Sequence, residues 1–265
     1  MARTERLLIT VLFLVLGFFA FNFNQTLGVS FVIFLTAYAI LNRFDKRVSF
    51  PFIKSGNDYT KSFIIALFTY IIFIFSTQLL NNFLKFIPGQ VNFQSVIQYL
   101  SSQVLAGQAL AFEQNAFFIF LAFALVIPFV ETLFFFGTLM ETFVDYFNVP
   151  SGLSLGAIPA IGIISSLFTL FHVTARIGAG STGQLTSALA TVFMFAVISC
   201  ILVLLTKQTL EAILFHVIAN STAVFVKFSV TSNIILTILL GGAIAFGLLQ
   251  IVKRLKFGGY LNATS

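Results

Sequence analysis

The chain has 265 residues, of which 59% are hydrophobic and only 8% charged, and its mean hydropathy is +1.06. That balance is too apolar and too sparsely charged for a water-soluble domain, and the net charge of +6 falls on no basic domain that would carry a nucleic-acid footprint. The composition predicts an all-α, polytopic membrane helix bundle surrounded by lipid, with no nucleic-acid partner.

Apolar runs of roughly 17–25 residues, each long enough to cross a hydrocarbon core of about 30 Å as a helix, recur along the chain. They predict about eight spans, with residues 1–265 forming a single polytopic membrane domain. The opening MARTER followed by LLITVLFLVLGFFAF has the basic start and apolar core of a signal peptide. No small-residue cleavage site follows, so it reads as a retained first span. The polar break NFNQT at 22–26 leads to a second span at about 27–42. Residues 43–61, with Arg43, Lys46, Arg47, Lys54, Lys61 and Pro51, read as a solvated loop.

A third span is expected at about 62–80, and the connection 81–113 is expected to hold an interfacial helix. The fourth span starts near Gln114 and is interrupted at Pro128, which removes a backbone hydrogen bond and should kink the helix just before Glu131. The chain turns at NVPSG, and a fifth span lies within 155–176, starting at Pro159, since proline suits a first helical turn. After the flexible GAGSTG at 178–183 come spans at about 185–205 and 210–226, joined by the tight link TKQT, and an eighth at about 231–252. In the last, Gly241 with Ala245 and Ala243 with Gly247 are spaced for close helix packing.

Eight spans place both termini on one side. That side carries Arg3, Arg6, Arg43, Lys46, Arg47, Lys54, Lys61, Lys207, Lys253, Arg254 and Lys256, against Lys85, Arg176 and Lys227 opposite. The positive-inside rule makes both termini cytoplasmic. The lone Cys200 lies mid-span and reads as a small core residue. The 37 phenylalanines, with no tryptophan, read as bulky lipid-facing filler.

Strongly polar residues within the apolar runs are few: Glu131, His172, His216 and Asn220, with Glu141, Asp145, Arg176 and Glu211 nearer the ends. Glu211 and Arg176 are most simply interfacial charges that snorkel. Burying ionisable groups in a bilayer is costly, so the first four are read as functional. His216 and Asn220 are four apart and share a helix face. One carboxylate, two imidazoles and a carboxamide supply a general base, a proton carrier and donors for an oxyanion. Glu131, His172 and His216 are also a ligand set for a divalent metal such as zinc holding an activated water. Either version makes a hydrolase.

From about 114 to 228 the chain resembles the CPBP family of intramembrane proteases, which includes CAAX prenyl-protein endopeptidases and bacteriocin-processing or immunity proteins. That family shows E-E-x-x-x-R, then F-x-x-x-H, then H-x-x-x-N or H-x-x-x-D on successive spans. Here Glu131-Thr132-Leu133-Phe134-Phe135-Phe136, Phe168-Thr169-Leu170-Phe171-His172 and His216-Val217-Ile218-Ala219-Asn220 follow in that order. The resemblance implies that 114–228 is a catalytic core in which Glu131 and His172 activate a water. His216 and Asn220 would stabilise the tetrahedral intermediate formed on a membrane-associated or prenylated protein or peptide.

Two positions depart from the pattern. Thr132 replaces the second glutamate, and Phe136 replaces the arginine, removing a charge partner for Glu131. A catalytically inactive scaffold or accessory subunit of a larger membrane complex is therefore the alternative. A proton-coupled transporter is a third reading, weakened by the lack of an inverted repeat. Counted from span ends, His172 and His216 are offset by about ten residues, or roughly 15 Å at the helical rise. Starting the two helices at Pro159 and near Lys207 brings both closer to mid-depth.

Overall fold

A computed structural model describes residues 8, 10–12, 15, 16, 50–54, 56–84, 122–149, 153–174, 182–227 and 234–254. Among the described residues, the regular structure is entirely helical. Helix α1 spans Tyr59–Leu84. Helix α2 is a continuous run made of four pieces: π turns at Ala122–Val126, an α segment at Ile127–Glu131, π turns at Thr132–Leu139 and an α segment at Met140–Tyr146. A 3₁₀ turn at Leu155–Ala157 leads into α3, Ile158–Thr174. Helices α4, α5 and α6 cover Thr182–Thr206, Leu210–Lys227 and Ile234–Arg254.

Five of these stretches are long and apolar enough to cross a membrane, and Leu210–Phe225 is a shorter apolar helix. The expected spans from the third onward have counterparts here, and Pro159 falls in the first turn of α3 as its fixed φ favours. Of the first span, residues 8, 10–12, 15 and 16 are helical. The second span lies outside the described residues; of the connection expected at 81–113 the first four residues continue α1, and of the loop expected at 178–183 Thr182 and Gly183 already belong to α4, the remainder of both lying outside the described residues.

The break expected at Pro128 takes a particular form. Proline lacks the N–H that would bond four residues back, and its ring crowds that carbonyl. The turn ahead of it widens into π geometry, and a second wide stretch begins one residue after Glu131. Glu131 therefore stands at a junction between two helical registers, in the most deeply enclosed of the apolar stretches. Such π turns are uncommon and occur frequently at functional sites.

The phenylalanines are not confined to the lipid surface. Phe134, Phe136, Phe168 and Phe215 are almost wholly buried. Phe195 stacks on Phe215 at 4.7 Å and on Phe168 at 5.9 Å, while Phe73 meets both Phe195 and Phe215 edge-on at 5.7 Å. This aromatic core ties α1, α3, α4 and α5 together, where edge and offset contacts each add about 0.5–1.5 kcal/mol beyond area burial. Cys200 is buried within the same core, as expected.

The loop expected to be solvated over 43–61 is folded onto the bundle at residues 50–53, while Lys54, Gly56 and Asp58 are exposed. Phe50 and Ile53 are buried, and the carbonyls of Pro51 and Phe52 accept hydrogen bonds from Thr209 N (3.0 Å) and Leu210 N (3.1 Å). These are donors at the start of α5 that have no partner within the helix. Lys54 N donates to Gln208 Oε1 at 2.8 Å, and Gln208 Nε2 donates to Asn57 Oδ1 at 2.9 Å. Asp58 caps α1 through Thr60 N and Lys61 N. Glu211, expected to snorkel, is instead buried, accepting from Ser62 Oγ at 2.7 Å and from Gln208 Nε2.

At Gly241, α6 comes close to α5. A Cβ there would lie 2.9 Å from Thr222 Oγ1 and 3.0 Å from the Ile218 carbonyl oxygen, whereas one at Gly247 would meet nothing within 4 Å. Of the small-residue pairs expected to pack, Gly241 and the buried Ala245 do so, while Ala243 and Gly247 are exposed. Gly241→Ala should cost about 1–3 kcal/mol, because a backbone oxygen cannot move aside as a flexible side chain can. Gly247→Ala should be near neutral. Reaction of the buried Cys200 thiol with a fluorogenic maleimide during heating would report both.

Candidate active site

The site forms where α2, α3 and α5 meet around Phe168. Glu131, at the register junction of α2, brings Oε2 to 3.7 Å from His216 Nε2 on α5. The next residue, Thr132, places Oγ1 3.1 Å from His216 Nδ1. Consecutive side chains on an α-helix diverge by about 100°. Here they reach the two nitrogens of a single imidazole, so His216 bridges the change of register. Its ring is held by Phe195 at 4.7 Å and Phe168 at 6.2 Å between centroids.

His172 ends the F-x-x-x-H motif on α3. Its ring lies 4.4 Å from that of Phe168, the aromatic residue of the same motif. Both imidazoles therefore touch one phenylalanine, which removes the offset of roughly 15 Å that span counting gave. His172 Nδ1 lies 2.8 Å from the Phe168 carbonyl oxygen. A carbonyl only accepts, so Nδ1 carries the hydrogen and Nε2 of the neutral ring keeps its lone pair. Asn220 follows His216 by one turn on α5 and is half-buried.

Exposure separates the roles. His216 is 5% exposed in its side chain, while that of Glu131 is 28% exposed, so the carboxylate is reachable and not sealed behind Phe136. Phe136 itself, where the first motif has arginine, is fully buried against Phe168 at 5.1 Å. That position has become aromatic packing. Among the described residues, no three His, Cys, Asp or Glu side chains come together as a metal-ligand group. The residues as placed do not fit the zinc set expected from Glu131, His172 and His216, and no step below is routed through a metal.

Sequence reasoning missed Thr132 as a partner of His216, reading it only as an absent glutamate. The available signal was a lone hydroxyl beside Glu131 in an otherwise phenylalanine-rich run.

Residues 113–222 match the family described as Rce1-like, type II CAAX prenyl endopeptidase. No curated protein and no solved structure is significantly similar to the chain. The matched stretch contains Glu131, Thr132, His172, His216 and Asn220, and the apolar helices on either side of it accord with a protein embedded in lipid. Motif order and family match agree: residues 113–222 of this integral membrane protein are similar to the Rce1-like family of type II CAAX prenyl endopeptidases.

Proposed function

We propose that the protein is an intramembrane endopeptidase that cleaves a membrane-associated or prenylated protein or peptide near the cytoplasmic face, with both termini cytoplasmic. The approach of Glu131 to His216 from separate helices, with Glu131 left accessible, carries this reading. Glu131 takes one proton from a water, whose other hydrogen is held by the Nε2 lone pair of His172, as the water oxygen bonds to the scissile carbonyl carbon. The carbonyl oxygen becomes an oxyanion that accepts from His216 Nε2–H and the Asn220 amide. At 3.7 Å from Glu131, Nε2 is beyond ordinary hydrogen-bond length, which leaves its hydrogen free for that oxygen. When the C–N bond breaks, the proton taken from water passes to the leaving nitrogen.

A test is cleavage of fluorogenic membrane peptides, prenylated and unprenylated, by the purified protein. His172→Ala should lower kcat by about 10²–10⁴-fold. Wild-type and variant rates that coincide would remove the mechanism. They would leave the reading that the packing of Phe136 favours, an inactive scaffold or accessory subunit of a membrane complex.

A further inference from the structure

We infer that Thr132 is a positioning residue for His216: its hydroxyl donates to Nδ1 and holds the imidazole in the Nε2–H tautomer, aiming a proton donor at Glu131 and the site. The kinetic consequence rests on the peptidase reading above, whereas the tautomer does not.

The behaviour of other helical hydroxyls is the first support. Thr77, Thr142, Thr169, Ser199 and Thr206 each donate to the carbonyl four residues back, at 2.7–2.9 Å. That is the usual resting place for such a group within a helix. Thr132 is fully buried, yet its hydroxyl turns away from its own helix to reach a ring on α5. It does so at the start of the second π stretch, where the backbone has left α register.

The second support is donor and acceptor arithmetic. An ionised carboxylate only accepts, so Nε2 facing Glu131 Oε2 is favourable when it carries the hydrogen. A neutral imidazole has one N–H, so Nδ1 is then the acceptor. The group 3.1 Å away must donate, and a threonine hydroxyl can. Phe195 and Phe168 pack against the ring, opposing a flip that would exchange its two edges.

The substitution therefore has chemical content. The glutamate that the first motif carries at this position would accept in its ionised form and call for the opposite tautomer, Nδ1–H. A hydroxyl reverses the demand, and it does so without a second negative charge beside Glu131. Thr132 thus substitutes for the missing carboxylate by another route to an oriented imidazole.

The test uses full-length protein labelled with ¹⁵N-histidine in detergent micelles, with His172→Gln assigning the two rings. Long-range ¹H–¹⁵N spectra should show His216 as Nε2–H in the wild type and in Thr132→Ser. The isosteric Thr132→Val should shift it toward Nδ1–H or a mixture. Kinetically, Thr132→Val should lower kcat by about 10- to 100-fold, as losses of imidazole-orienting partners do, with KM unchanged and Thr132→Ser restoring the rate. An Nδ1–H tautomer in the wild type would overturn the inference, and this readout needs no variant of Thr132 to fold. It would also be overturned if Thr132→Val left the tautomer unchanged. If the tautomer behaves as expected but no peptide is cleaved, the peptidase reading fails and the positioning role stands.

Discussion

Glu131→Gln should lower kcat/KM for a membrane peptide by about 10²–10⁴-fold, the usual contribution of a positioned general base, with little change in thermal stability. Glutamine keeps the shape of the side chain and an oxygen for His216 Nε2, but it cannot accept the proton of an attacking water. The side chain is 28% exposed, so its replacement leaves no deeply buried group stranded. Activity and unfolding temperature should therefore separate, and a purified variant that cleaves at the wild-type rate would show that Glu131 is not the base. The outcome is sharper than for His216→Ala, where loss of a ring packed between Phe168 and Phe195 mixes chemistry with core damage.

Glu211→Ala should act the other way, on stability first. Glu211 is 2% exposed, and its Oε1 accepts from both Ser62 Oγ and Gln208 Nε2. Removing the acceptor strands the buried Ser62 hydroxyl, at a cost of about 1–3 kcal/mol, and leaves Gln208 Nε2 with Asn57 Oδ1 alone. The maleimide reaction of Cys200 during heating should begin at a clearly lower temperature. Glu211→Gln keeps an acceptor oxygen and should lose less. Unfolding of Glu211→Ala at the wild-type temperature would mean that the cluster is relaxed by solvent.

Much of the helical layout was readable because it depends on local rules. Apolar run length, Pro159 and the polar link TKQT place α3 to α6 within a few residues of where they lie. The meeting of Glu131 with His216 was legible only through three motifs in order, since periodicity alone assigns faces and not neighbours. What could not be read depends on partners far along the chain. Glu211 looks like an interfacial charge until Ser62, 149 residues away, is seen to donate to it. Thr132 looks like a loss until the π register of α2 turns its hydroxyl toward α5. Likewise, no local pattern distinguishes a phenylalanine facing lipid from Phe168, which packs against both imidazoles.

The first backbone donors of α5 end on the carbonyls of Pro51 and Phe52, residues that lie more than sixty positions before the stretch matched to the family begins. The stretch matched to the family and the stretch that completes the helix bearing His216 therefore do not coincide. A fragment trimmed to 113–222 would contain every proposed reacting group, yet it would leave the helix bearing His216 without the acceptors that complete its first turn. The segment just ahead of α1 is thus a structural part of the proposed site, although it holds none of the proposed reacting groups.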